Sequence, residues 1–144
     1  MNFLDALTKD FILAAIEVCK SAYCPYNNFT VDAALRTFDD SIYAGPNIEN
    51  AAFTAGICAE GVVNTYITCG FYVNLTEGKR DFVACAVVAL QDDPLTTSCG
   101  VCGQFSIGFA KKDFLLYVTK SDLRPYRVLC ISIGELLPKR FSLP

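Results

Sequence analysis

The chain has 144 residues, 53% of them hydrophobic and 19% charged, with a formal net charge of −3. That length sets one domain, 1–144, which buries about two-thirds of its unfolded surface, and the composition argues against disorder. A negative balance gives no electrostatic case for nucleic acid, so a small polar substrate is the simpler expectation. Met1 to Lys20 reads as an amphipathic helix, with Leu4, Leu7, Phe11, Ile12, Ala15, Ile16 and Cys19 on one side. Tyr23 to Asn28 is a loop. Phe29 to Phe38 alternates as a strand, ends at Asp39-Asp40, and pairs as a hairpin with Ser41 to Ile48, which Gly45-Pro46 interrupts as an edge, a bulge or the strand's end.

Cys58 to about Tyr66 offers Ala59, Val62, Val63 and Tyr66 as the apolar side of a helix. Thr68 to Arg80 is loop-like. The nearly all-apolar run Asp81 to Gln91 is a fully buried central strand. Asp92 to Ser98 is a loop, and Gly100 to Ala110 a helix weakened by Gly103 and Gly108. Phe114 to Thr119 and Tyr126 to Ser132 are strands on either side of a Lys120 to Pro125 turn, and Ile133 to Leu137 is a short helix stopped by Pro138. The order α-ββ-α-β-α-β-β-α predicts a mixed sheet covered by helices.

Eight cysteines could suggest a disulfide scaffold. However, no basic segment followed by an apolar stretch and a cleavage site opens the chain, and no run of about 20 apolar residues could span a membrane. The expectation is a cytoplasmic protein with reduced thiols, in which the sequon Asn74-Leu75-Thr76 carries no glycan. Few charges and many apolar residues also suit a subunit that buries surface in an oligomer.

Cys58-Ala59-Glu60 is matched 41 positions later by Cys99-Gly100-Val101-Cys102. A tetrahedral catalytic zinc needs three protein ligands and an open position for water, and Cys58, Cys99 and Cys102 would supply the three. There is no histidine, so only an all-cysteine set is open to the chain. Cys99 and Cys102, three apart at a helix start, fall on one face, and Cys58 opens another helix. Two helix N-termini at one metal would favour thiolates, with Glu60 within reach of the open position. Taken alone, the C-x-x-C also fits a thioredoxin-like redox pair, half of a structural zinc site, or buried thiols. Cys19, Cys24, Cys69, Cys85 and Cys130 read as core or loop residues, with Cys85 packed in the central strand.

These segments together resemble the cytidine deaminase family, of the small homotetrameric type with a three-cysteine zinc. The matches are Tyr23-Cys-Pro-Tyr-Asn-Asn-Phe29 with Val31-Asp-Ala-Ala-Leu35, Asn47-Ile-Glu-Asn50, Gly56-Ile-Cys-Ala-Glu60, Ser98-Cys-Gly-Val-Cys102 with Gln104, Tyr117-Val-Thr-Lys120, and Glu135-Leu-Leu-Pro138 with Phe141. The resemblance implies a three-layer α-β-α sandwich on a mixed, about five-stranded sheet. It implies one zinc per chain on Cys58, Cys99 and Cys102, and no organic cofactor. Glu60 would be the proton shuttle, Asn47 and Glu49 would bind the ribose hydroxyls, and Phe29 would stack on the pyrimidine. Ala59 joins the substrate contacts, and Phe53 and Phe141 would help complete a neighbouring subunit's site in a homotetramer. From the residues alone, Phe29 reads as a strand residue facing the core.

Three departures fall at the zinc motifs: Gly61 and Gly103 stand where the family usually has arginine, and Ser98 where it has proline. A zinc dication with three thiolates sums to one negative charge, which arginine hydrogen bonds to sulfur would offset. Lys79, Arg80, Lys111 and Lys112 are the candidates to replace them. Asp32 replaces a usual glycine, and an insertion falls within Thr68 to Arg80. The implied function is hydrolytic deamination of cytidine and deoxycytidine to uridine and deoxyuridine. The alternatives are a weak or inactive deaminase-like zinc protein, or a deaminase of another amino-substituted base or nucleoside.

Overall fold

The computed structural model describes residues 4–18, 21–63, 82–91, 95–108, 110–121 and 126–141, with the backbone alone at 110–113. Its elements are α1 (Ala6–Val18), β1 (Val31–Thr37), β2 (Ile42–Pro46), a 3-10 turn Phe53–Ala55, helical residues 59–63 (α2), β3 (Phe82–Ala89), α3 (Gly100–Ile107), β4 (Ala110–Lys120), β5 (Leu129–Ser132) and α4 (Ile133–Leu136). The expected loop at 68–80, its sequon and insertion, most of the 120–125 turn, Cys19, Cys69, and the side chains of Lys79, Arg80, Lys111 and Lys112 lie outside the described residues.

Five strands form one mixed sheet in the order β2-β1-β3-β4-β5, with β3–β4 parallel and the other pairs antiparallel. The apolar run of β3 lies in the middle because both of its faces are covered. Cys85 and Val87 pack on one side with Ala59, Val63, Phe114, Leu116, Val118 and Ile133. Ala84, Ala86 and Val88 pack on the other with Phe11, Ile12, Ala15 and Tyr117. A register shift between Phe82 and Ala84 brings Phe82 into the first cluster, against the simple alternation of the strand. Helix α1 therefore covers one face and α2, α3 and α4 the other, as a three-layer sandwich.

The structure corrects several local readings: α3 ends at Ile107 rather than Ala110, and β4 begins at Ala110 rather than Phe114. Helix α1 begins at Ala6, where Asp5 Oδ1 accepts from Thr8 N at 2.7 Å, rather than at Met1. Its buried side is Thr8, Phe11, Ile12, Ala15 and Ile16, with Leu7 turned out. The strand β1 expected from alternation buries both of its faces: Ala33 and Leu35 enter one cluster while Ala34 enters the other and Asp32 is fully buried. A strand next to the centre of a two-sided sheet buries both sets. As expected, Gly45-Pro46 closes an edge strand. A Cβ at Gly45 would stand 3.1 Å from Val63 Cγ2 and 3.2 Å from Val62 Cγ1, so glycine permits α2 to lie this close to β2.

Candidate active site

Strand register gathers the functional segments at one end of the sheet. Val31 lies opposite Ala89, and Asp32 opposite Pro46, so the start of β1, the end of β2 and the carboxyl end of β3 coincide. Phe29 precedes that start, Asn47 follows that β2 end, and Cys99 begins the helix reached from β3. Crevices outside the carboxyl ends of strands are where α/β sheets take ligands. Ile48 and Ile57 exchange main-chain hydrogen bonds of 3.0 and 2.9 Å, which tie the Asn47–Glu49 segment to the residue before Cys58.

The sulfurs of Cys58, Cys99 and Cys102 all lie within 4.8 Å of one another. Cys99 caps α3, with its Sγ accepting from Cys102 N at 3.4 Å, and the Cys99 and Cys102 sulfurs are 3.4 Å apart. Zinc–sulfur bonds of about 2.3 Å in a tetrahedron put sulfurs about 3.8 Å apart, so this donor set fits a zinc ion. Cys102 is buried while Cys58 and Cys99 are exposed, which leaves the trio facing outward.

Glu60 is buried at 4% exposure, and its charge acts on all three thiols. At Cys102 burial and then Glu60 push the thiol far up. At Cys58 burial and then the charge of Cys99 push it up as well. At Cys99 the upward push of burial is outweighed by hydrogen bonds from the Cys102 main chain and thiol and the Val101 main chain, which leave it lowered. The carboxylate of Glu60 disfavours ionisation of all three thiols, and Cys58 and Cys102 also feel the ionised form of Cys99. A bound dication would lower the thiols it holds.

The other expected site residues are distributed as follows. Asn47 Oδ1 accepts from Val31 N and from the Cys24 thiol, each at 3.1 Å, and Nδ2 donates to Phe29 O at 3.0 Å. Glu49 Oε2 accepts from Tyr26 N at 2.8 Å and Asn27 N at 3.4 Å, while Oε1 is buried without a hydrogen-bond partner among the described residues. Phe29 is half-buried, outside both core clusters and before the first residue of β1, so the core reading from its residue type alone does not hold. Ala59 is fully buried and its methyl belongs to the core. Phe53 and Phe141 stand 77% and 70% exposed.

Cys24, which the sequence reads as a core or loop residue, lies inside the Tyr23–Phe29 segment and donates to Asn47; nothing in its spacing reveals that contact. Gln104 holds the Phe141 main chain by two hydrogen bonds of 2.9 Å, a contact across 37 positions that no local pattern signals. Cys130, read as core or loop, is an exposed residue on the edge strand β5. Cys85 is buried as expected.

Residues 2–62 match a family described as "Cytidine and deoxycytidylate deaminase zinc-binding region", a match that ends just past Glu60. The chain is 36% identical over 125 residues to a cytidine deaminase of Sporosarcina psychrophila, covering 85% of this chain and 82% of that one. It is 35% identical over 133 residues to one of Halalkalibacterium halodurans, covering 91% of each. The chain belongs to the cytidine deaminase family. The fold agrees: a crystal structure of cytidine deaminase from Burkholderia pseudomallei superposes with a TM-score of 0.77 at 33% identity, covering 92% of this chain and 98% of that one. One from Mycobacterium tuberculosis gives 0.72 at 27% identity, covering 96% and 100%. Members of this family are zinc-dependent hydrolases, and the Cys58, Cys99 and Cys102 cluster supplies the thiols such a zinc requires.

Proposed function

We propose that this chain converts cytidine and deoxycytidine to uridine and deoxyuridine with release of ammonia. The observation that carries it is the cluster of three sulfurs with the buried Glu60 carboxylate beside it. A bound zinc supplies Lewis acidity that makes water nucleophilic at neutral pH. Glu60 takes the proton that water gives up and delivers it to ring nitrogen N3 as C4 is attacked; it then takes the second proton from the new C4 hydroxyl and passes it to the amine, so that the C4–N bond breaks, the carbonyl forms and ammonia leaves. Burial of Glu60 keeps bulk water from competing for those protons.

Asn47 and Glu49 are two apart along an extended stretch and so fall on one side of it. One amide N–H of Asn47 and the buried Glu49 Oε1 then offer a donor and an acceptor, which suits a sugar hydroxyl. Phe29 supplies a flat face for the base, and Ala59 contributes from its main chain. The exposure of Phe53 and Phe141 supports an assembly, a homotetramer, in which these rings reach a neighbouring copy's site. The whole chain acts as one domain. Among the described residues no helix is long and apolar enough to cross a membrane, and the described cysteines are unpaired. Unpaired thiols suit a cytoplasmic setting.

A second reading, zinc kept for folding with weak or no turnover, draws on the glycines at 61 and 103 beside the thiols and on the Glu60 charge that acts on them. Ultraviolet-monitored conversion of cytidine by zinc-loaded protein, with Glu60→Ala as control, separates the two. Conversion by the wild type alone supports the enzyme; no conversion with one zinc still bound supports the second reading.

A further inference from the structure

Asn47 sits where three segments meet, and its amide has few hydrogen-bonding positions left. An amide oxygen has two acceptor positions and its nitrogen two hydrogens. Val31 N and the Cys24 thiol take both oxygen positions, and Phe29 O takes one hydrogen. Val31 N can only donate and Phe29 O can only accept, so the amide cannot be turned end for end. One N–H remains. Burial, and then the charge of Glu49, push the Cys24 thiol up, so Cys24 stays protonated and donates.

The geometry points to Cys24 as a positioning residue for substrate: its S–H fills the second acceptor position of Asn47, which leaves the amide a pure donor beside the Glu49 acceptor. The inference rests on the nucleoside reading above and deepens it, since it explains how one hydroxyl is read. That hydroxyl must accept from Asn47 and donate to Glu49. Without the thiol, Asn47 Oδ1 would carry an open acceptor position, and either water or the sugar could compete for it. The amide would then also lose one of the three contacts that hold it against the Phe29–Val31 segment.

The test is steady-state kinetics of the zinc-loaded wild type, Cys24→Ala and Cys24→Ser on cytidine and on 2′,3′-dideoxycytidine, with zinc content measured for each. Loss of one hydrogen bond predicts a KM for cytidine raised about fivefold in Cys24→Ala with kcat nearly unchanged. Serine keeps a donor and restores KM to within about twofold of wild type. On the dideoxy substrate, which lacks the hydroxyls, wild type and Cys24→Ala coincide. An unchanged KM in Cys24→Ala, or an equal rise on both substrates, overturns the role. If the wild type does not turn over cytidine, the deamination reading falls, and calorimetric binding of uridine to wild type and Cys24→Ala judges Cys24 separately. Weaker binding in the alanine variant upholds the role; equal binding, or none by either, overturns it.

Discussion

Glu60 and the glycine that follows it show how much one side chain decides in this site. Glu60 is buried and its charge acts on all three thiols, so replacing its carboxylate by an amide of the same shape removes the proton carrier and relieves a charge that disfavours thiolates. Glu60→Gln is expected to keep one zinc per chain by metal analysis and to lower kcat by about 10²- to 10⁴-fold. Unchanged turnover would end its assigned role. At Gly103 a Cβ would make ordinary contacts, 3.8 Å to Leu137 Cδ2 and 3.9 Å to Ile133 Cδ1. At Gly61 it would stand 3.0 Å from Ile57 Cγ2, so that side chain must shift. Gly103→Arg is therefore the better-tolerated way to bring a positive charge towards the thiolates, and it is expected to slow zinc loss to a competing chelator. No change in that rate would mean that main-chain donors such as Cys102 N already balance the sulfur charge.

At the scale of elements, the caps and the buried strand faces make separable contributions. The Asp5 carboxyl is held below its usual value by the main-chain and side-chain hydrogen bonds of Thr8. Its contribution to α1 is thus fully present above the unfolded carboxyl value of about 3.9 and is lost as pH falls through the lower folded value. The urea midpoint of Asp5→Ala should lie below that of the wild type at pH 7, and the two should converge in strong acid. A gap independent of pH would remove the carboxylate from the explanation. In β4, Leu116 is fully buried in the cluster shared by β3 and α4. Leu116→Ala is expected to cost about 2–5 kcal/mol, read from the same titrations. Near the C-terminal end, Ser132 and Glu135 form a capping box that starts α4. The pattern S-x-x-E was present in the sequence, and the helix it opens was placed there without its capping bonds being foreseen.

For the whole molecule, the metal cluster is a cross-link as well as a site. Cys58 belongs to the hairpin side of the fold and Cys99 and Cys102 to the helix that follows β3, so a bound ion joins segments far apart in sequence. Chelation is expected to lower the calorimetric Tm, and zinc re-addition to restore it; an unchanged Tm would show the trio is not a structural tie. Much of this was legible beforehand. The run Phe82 to Leu90 announced a buried central strand, and the spacing of Cys99 and Cys102 at a helix start placed two sulfurs on one face, because both signals are local. Periodicity, however, did not reveal that β1 is covered on both sides, since alternation in one strand does not say what lies on its polar face. The start of α1 was misplaced for a similar reason: Leu4 and Leu7 continue the apolar spacing whether or not the helix includes them.

Chain order and residue type therefore carried the element sequence, the ligand set and the candidate shuttle, which depend on local propensity and on the number of donors within reach. Strand order brought Phe29, Asn47, Glu49, Cys58 and Cys99 to one end of the sheet through the pairings Val31 with Ala89 and Asp32 with Pro46. The Cys24 thiol on Asn47 and the buried Glu49 Oε1 accompany that pairing, and the Gln104 hold on Phe141 depends on where α3 packs. Hydrogen bonds between residues distant in sequence exist only once packing has fixed the backbones on which both partners stand, and no pattern along a single segment encodes them.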